Sequence, residues 1–166
     1  IVVQIKFKIK QIYDRSMVKK SFHTGTVKKT IKIKAAKDKV WRKISNITGL
    51  PTWVVDVKKT VYLSKKKTDV GAIRLITFED GNQIEEHVVA WKKGEYFTYI
   101  ATEGLPLRAY VATISIKAKS KKIVELTWQS YLNSKKMSEK QFLEFLAFMG
   151  SFYESSLENL KILLEK

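Results

Sequence analysis

Apolar and polar positions alternate in period two over most of the middle of this chain, and the period changes to that of a helix at its end. Val27, Ile31 and Ile33 share one side of a segment whose other side carries Lys28, Lys32 and Lys34, which predicts a strand over Val27–Ala35 with one packed and one wet face. Val40, Trp41, Ile44 and Ile47 then recur at helical spacing, predicting a short helix over Ala36–Asn46. Gly49 is the expected left-handed stop, and Pro51 opens a second short helical turn ending near Trp53. Strands are predicted over Val57–Ser64, Gly71–Phe78, Ile84–Trp91, Tyr96–Thr102, Leu107–Ala118 and Ile123–Leu132. Asp80-Gly81-Asn82, Lys92 to Glu95, Glu103 to Pro106 and Lys119 to Lys122 separate them. These connections are too short for crossover helices, so the sheet must be largely antiparallel.

The last segment reads as one long helix. Ser138-Glu139-Lys140-Gln141 matches a capping box. Phe142, Phe145, Leu146, Met149, Phe152, Tyr153, Ser156, Leu160 and Leu163 follow as a broad apolar stripe. A stripe that wide must be buried, and the sheet is the only large partner available. The predicted fold is therefore α+β: a curved antiparallel sheet of about seven strands wrapped around a long C-terminal helix, with two short helices after the first strand. A strongly curved sheet gripping one helix rarely fills completely, so an apolar cavity between them is expected.

Alternation also assigns faces. Ile84, Glu86, Val88 and Ala90 are placed inward, with Glu85 and His87 outward. Ile73, Leu75 and Thr77 are placed inward, leaving Arg74 outside. Tyr99, Ala101 and Glu103 form another inward row, as do Tyr110, Ala112, Ile114 and Ile116, and Leu126, Trp128 and Ser130. The expected ligand-binding residues are accordingly Trp53, Ile73, Leu75, Glu86, Val88, Tyr99, Glu103, Tyr110, Ile114 and Trp128 from the sheet side. Phe145, Met149 and Phe152 join them from the helix. Core packing is the plainer role for each apolar member of this set. An inward carboxylate is the sharper case, because burying it unpaired costs several kcal/mol; it shifts its pKa or finds a partner. Glu86, Glu103 and Tyr110 are thus the candidates for catalysis should there be any.

Composition narrows the chemistry. The chain of 166 residues suits one domain, and 45% apolar residues suffice for a core. With no Cys, disulfides and thiolate chemistry are excluded, and His23 and His87 form no ligand-spaced pair, so no metal and no cofactor are expected. No apolar run approaches the roughly 20 residues of a membrane span, and a cytoplasmic location is the default expectation. The charge is unusual: 32 Lys plus Arg against 16 Asp plus Glu, a net +16. Arg, the residue that forks onto phosphate and guanine, occurs only at Arg15, Arg42, Arg74 and Arg108. A solvated lysine surface is the bland account; nucleic acid, an anionic membrane or an anionic ligand are the functional ones. Residues 1–24 read as an N-terminal extension, in which Met17 is a candidate start site.

Several segments together resemble the START-like superfamily, also called helix-grip or SRPBCC. Lys39-Val40-Trp41-Arg42-Lys43-Ile44 is similar to its Val-Trp helix, and Gly49-Leu50-Pro51-Thr52-Trp53 to its Tyr-Pro-x-Trp turn, with Leu50 in place of the aromatic. Val70-Gly71, Glu85 to Trp91, Glu103-Gly104-Leu105-Pro106 with Tyr110, and Leu126-Thr127-Trp128 resemble further family segments in the right order. The resemblance covers residues 25–166. It implies a fold and a pocket for hydrophobic small molecules such as lipids, polyketide-like or isoprenoid-like compounds. It transfers no catalytic motif, although some members are cyclases, aromatases or dehydratases. Binding or transport of a hydrophobic ligand is the leading expectation. A cyclase-type enzyme and a lysine-rich module for nucleic acid or anionic membrane are the alternatives.

Overall fold

The computed structural model describes residues 22–134 and 136–166. The extension proposed for residues 1–24 and the Met17 start lie almost wholly outside them. Seven strands form one antiparallel sheet in the order β1-β7-β6-β5-β4-β3-β2. They are β1 (His23–Ile33), β2 (Val57–Tyr62), β3 (Ile73–Phe78), β4 (Gln83–Lys92), β5 (Tyr96–Glu103), β6 (Ala109–Ser120) and β7 (Ile123–Ser134). Five hairpin connections run from β2 to β7, and only the pairing of β1 with β7 is long-range. Between β1 and β2 lie helix α1 (Lys37–Ile44) and a single 3₁₀ turn, Leu50–Thr52. Helix α2 (Glu139–Leu164) closes the chain.

Local chemistry sets these boundaries. Ser138 Oγ accepts from the Gln141 backbone N–H and Gln141 Oε1 accepts from the Ser138 N–H, so the predicted capping box forms in full. Gly49 is not a left-handed stop: its φ is −79°, and it opens the 3₁₀ turn, while α1 ends at Ser45, whose N–H bonds to Trp41. Gly104 has φ +91°, and a Cβ there would stand 1.9 Å from the Gln83 carbonyl oxygen, so only glycine fits this loop.

The helix lies across the inner face of the curved sheet, as the apolar stripe requires. Phe142, Met149, Tyr153, Leu157, Leu160 and Leu164 are buried against it. Leu163, placed in the stripe from spacing, is exposed, and Leu164 takes its place. At the C-terminal end of α2 the space is filled: Trp41 meets Trp91 edge-on at 5.3 Å and Phe97 at 6.4 Å between ring centroids. Trp91 reaches that cluster because β4 carries a bulge between Val88 and Ala90. The bulge reverses the alternation, so Ala90 leaves the inner face and Trp91 enters it.

Candidate functional site

At the other end of α2 the sheet and helix diverge around a cavity of about 620 Å³. That volume lies inside the ~300–1,000 Å³ range of small-molecule sites. Its walls are Ile76 and Phe78 of β3, Ile114 of β6, Trp128 of β7 and Phe145, Met149 and Phe152 of α2, with Leu50, Trp53 and Val54 from the 3₁₀ turn and the segment after it. The mouth is framed by Asp56, by Glu79, Asp80 and Asn82 of the β3–β4 turn, by Gly104, Leu105 and Pro106, and by Phe148, which is 60% exposed.

One charged pair sits in this apolar wall. Arg74 and Glu86 are paired across β3 and β4 and are only 3% and 6% exposed. Arg74 Nη2 lies 2.6 Å and Nε 2.8 Å from the same oxygen, Glu86 Oε2. Arg74 Nη1 donates to the Ile47 carbonyl at 2.9 Å, and the guanidinium stands over the Tyr99 ring at 4.9 Å. Burial pushes the Glu86 carboxyl above its ordinary range, and the Arg74 charge opposes that rise. Beside the pair runs a row of phenols: Trp128 Nε1 donates to Tyr99 Oη at 2.9 Å, and the Tyr110 and Tyr153 hydroxyls share a 2.6 Å hydrogen bond. Tyr153 also stacks on Trp128 at 4.1 Å. Burial is the main cause that raises all three tyrosines above the usual phenol value.

Nine of the residues expected from the sequence line the cavity: Trp53, Glu86, Tyr99, Tyr110, Ile114, Trp128, Phe145, Met149 and Phe152. Four do not. Ile73 and Leu75 lie on the outer face of β3, because Arg74 and Ile76 take the inner one, and Thr77 follows them outward. The reason is register: Arg74 lies directly opposite Glu86, so with Glu86 inward the two share that face and neutralise each other there. Glu103 is exposed at the strand end, since a register shift pairs it with the outward Glu85 while Glu86 pairs with Ala101. It is therefore no inward carboxylate. Val88 is inward and buried but sits in solid core, outside the cavity wall. Outside the sheet, His87 Nε2 contacts Glu85 Oε1 at 2.6 Å, and this bond, followed by that from Thr102, lowers the Glu85 carboxyl.

The sequence matches the family described as polyketide cyclase/dehydrase and lipid transport over residues 24–165. The chain belongs to this family. No curated protein matches it. Among solved structures it is similar to the XoxI protein of Bacillus cereus, at 20% identity and TM-score 0.73, covering 84% of this chain and 95% of that one. An uncharacterised protein of Bacillus thuringiensis aligns at 19% identity and TM-score 0.73, over 86% and 100% of the two chains. A protein of Nitrosospira multiformis aligns at 20% and 0.71, over 84% and 96%. These likenesses fix the helix-grip fold. The family, whose description includes lipid transport, supports a module of the hydrophobic-ligand-binding type. Arg74, Ile76, Phe78 and Phe148 are among the wall residues that the sequence reading missed, with Leu50, Val54 and Val57. The signal for Arg74 was present: counting outward from the Asp80-Gly81-Asn82 turn places it opposite Glu86.

Proposed function

We propose that this chain binds and carries a neutral, largely apolar small molecule with one polar end, and does not transform it. The observation that carries the reading is a cavity of about 620 Å³ whose wall is apolar except at one closed ion pair and a row of hydrogen-bonded phenols. Arg74 and Glu86 cancel in charge, and the ionisable residues on the cavity rim are Asp56, Glu79 and Asp80, so an anionic ligand gains little inside the cavity. Both Arg74 contacts use Glu86 Oε2, and Oε1 is the acceptor assigned to a ligand hydroxyl. A lipid-like, polyketide-like or isoprenoid-like alcohol fits this description.

The cyclase or dehydratase alternative retains Glu86 and Tyr110, since Glu103 lies outside. Each of these is already committed, Glu86 to Arg74 and Tyr110 to Tyr153, and neither forms a base–nucleophile pair. Native mass spectrometry of the purified chain and Nile red fluorescence test the carrier reading. Nile red is expected to brighten on binding and to be displaced by a long-chain alcohol more readily than by the matching carboxylate at neutral pH. No bound mass together with no dye response would remove the proposal; equal displacement by the carboxylate would remove its neutral-ligand part.

A further inference from the structure

Acidic side chains stand on the rim of the cavity, while the opposite end of the sheet is rich in lysine. The cavity mouth, at the β3–β4 turn and the β5–β6 loop, presents Asp56, Glu79 and Asp80. The opposite end collects the β2–β3 connection, the β4–β5 and β6–β7 turns, α1 and the last turn of α2. Antiparallel pairing places the three connections together, and Lys39 Nζ, bonded to the Leu164 carbonyl, ties α1 to the end of α2. Lys65, Lys93, Lys121 and Lys122 project from those three connections, exposed and in no ion pair among the described residues. Leu63 and Val70 are exposed in the same β2–β3 connection, and Ile162 in the last turn of α2.

We infer that this end docks on an anionic lipid membrane, with the cavity mouth facing away from it. Lysine supplies charge without base-reading geometry and is drawn to an anionic leaflet. Nucleic acid is the competing polyanion, but binding it well requires aromatic platforms or arginine forks. Among the described residues the exposed large apolar side chains of this end are aliphatic, and its one arginine is Arg42 on α1. Exposed aliphatic residues among lysines have a use at a lipid headgroup boundary and none along a phosphate backbone. Docked this way, the chain would stay on the membrane while its ligand exchanges at the far mouth. The inference does not depend on which ligand the cavity holds.

Vesicle flotation of the full chain tests it, with phosphatidylcholine alone and with about one-third phosphatidylserine added, at roughly 0.15 M salt. Binding is expected only to the phosphatidylserine vesicles. Replacing Lys65, Lys93, Lys121 and Lys122 by Gln together should weaken it roughly a thousandfold. Leu63→Ser with Val70→Ser should weaken it roughly tenfold. Both variants change only exposed side chains, so an unchanged melting temperature certifies the fold. No flotation with phosphatidylserine overturns the proposal. So does tighter binding to single-stranded or duplex DNA at the same salt, or indifference to the Leu63 and Val70 changes.

Discussion

The same helix lies on the same sheet at both ends of this molecule, yet one end is solid and the other hollow. At the solid end Trp41, Trp91 and Phe97 fill the gap between α1 and the sheet, and Leu157, Leu160 and Leu164 of α2 are buried. At the hollow end Phe145 and Phe152 are only half-buried and face open space. The hydrogen-bonded row of Trp128, Tyr99, Tyr110 and Tyr153 stands between them. Volume alone does not separate the ends, because both are rich in aromatic rings. The difference is that α1 packs against the solid end, while the hollow end is roofed only by a 3₁₀ turn and two loops.

The largest effect is expected at the partition. Tyr99, Tyr110 and Tyr153 are raised above the ordinary phenol value of about 10, so the folded state keeps protons that the unfolded chain releases. Below that value neither state ionises and the stability they confer is complete; above it, stability is lost as pH rises. Each tyrosine contributes about 1.4 kcal/mol per pH unit, so the three together should make alkaline unfolding steep. In a spectroscopic titration, three of the seven tyrosines are expected to ionise only with loss of the far-ultraviolet dichroism. Ionisation of all seven in a folded chain would show that the partition is open to water.

Next is the ion pair in the hollow end. Arg74→Met leaves a buried carboxylate without its partner and should cost about 3–5 kcal/mol in denaturant unfolding at neutral pH. Without Arg74 the Glu86 carboxyl rises further, so the lost stability should return as pH falls towards the ordinary carboxylate range, where the side chain is neutral in both states. Adding Glu86→Leu should restore most of the loss at neutral pH. A single variant with no pH dependence would mean that water, not Arg74, solvates Glu86.

This pair also shows what the chain made legible. The strands, the capping box and the inward sides of β6 and β7 follow from period and turn chemistry, and eight apolar or aromatic wall residues follow with them. The errors share one origin. Ile73 and Leu75 look like an inner row on hydropathy alone, and only the cross-strand register reveals that Arg74 must take their place. Glu103 and Ala90 were misplaced by register irregularities in the β4–β5 pairing, and a single extra residue flips every later side chain. Bulges are tertiary decisions, made here by Trp91 reaching Trp41, and no local pattern announces them.

Truncations should then separate the two ends directly. Trp41→Ala removes a buried ring from a filled site and should cost about 3–5 kcal/mol. Phe152→Ala borders space that already exists, so little new cavity penalty arises and about 1–2 kcal/mol is expected. The second variant should also accept bulkier apolar probes, which the first should not. Equal costs would mean that the hollow end collapses around a missing ring.

The smallest energetic effect is expected at the mouth. Phe148 is 60% exposed and packs tilted against Phe145 and stacked on Phe152, at 6.3 Å between centroids in each case. Phe148→Ala removes little buried surface, and stability should change by no more than about 0.5 kcal/mol. Its exposed position on the cavity rim predicts a kinetic consequence instead. A ring at the rim adds contact while a ligand passes and less once it is seated, so its loss should alter entry and exit together and leave the equilibrium nearly fixed. Stopped-flow mixing with Nile red separates these quantities: both rate constants should shift in the same direction, with their ratio held. A change in affinity carried by the off-rate alone would place Phe148 inside the seated site and move the boundary of the hollow end outward.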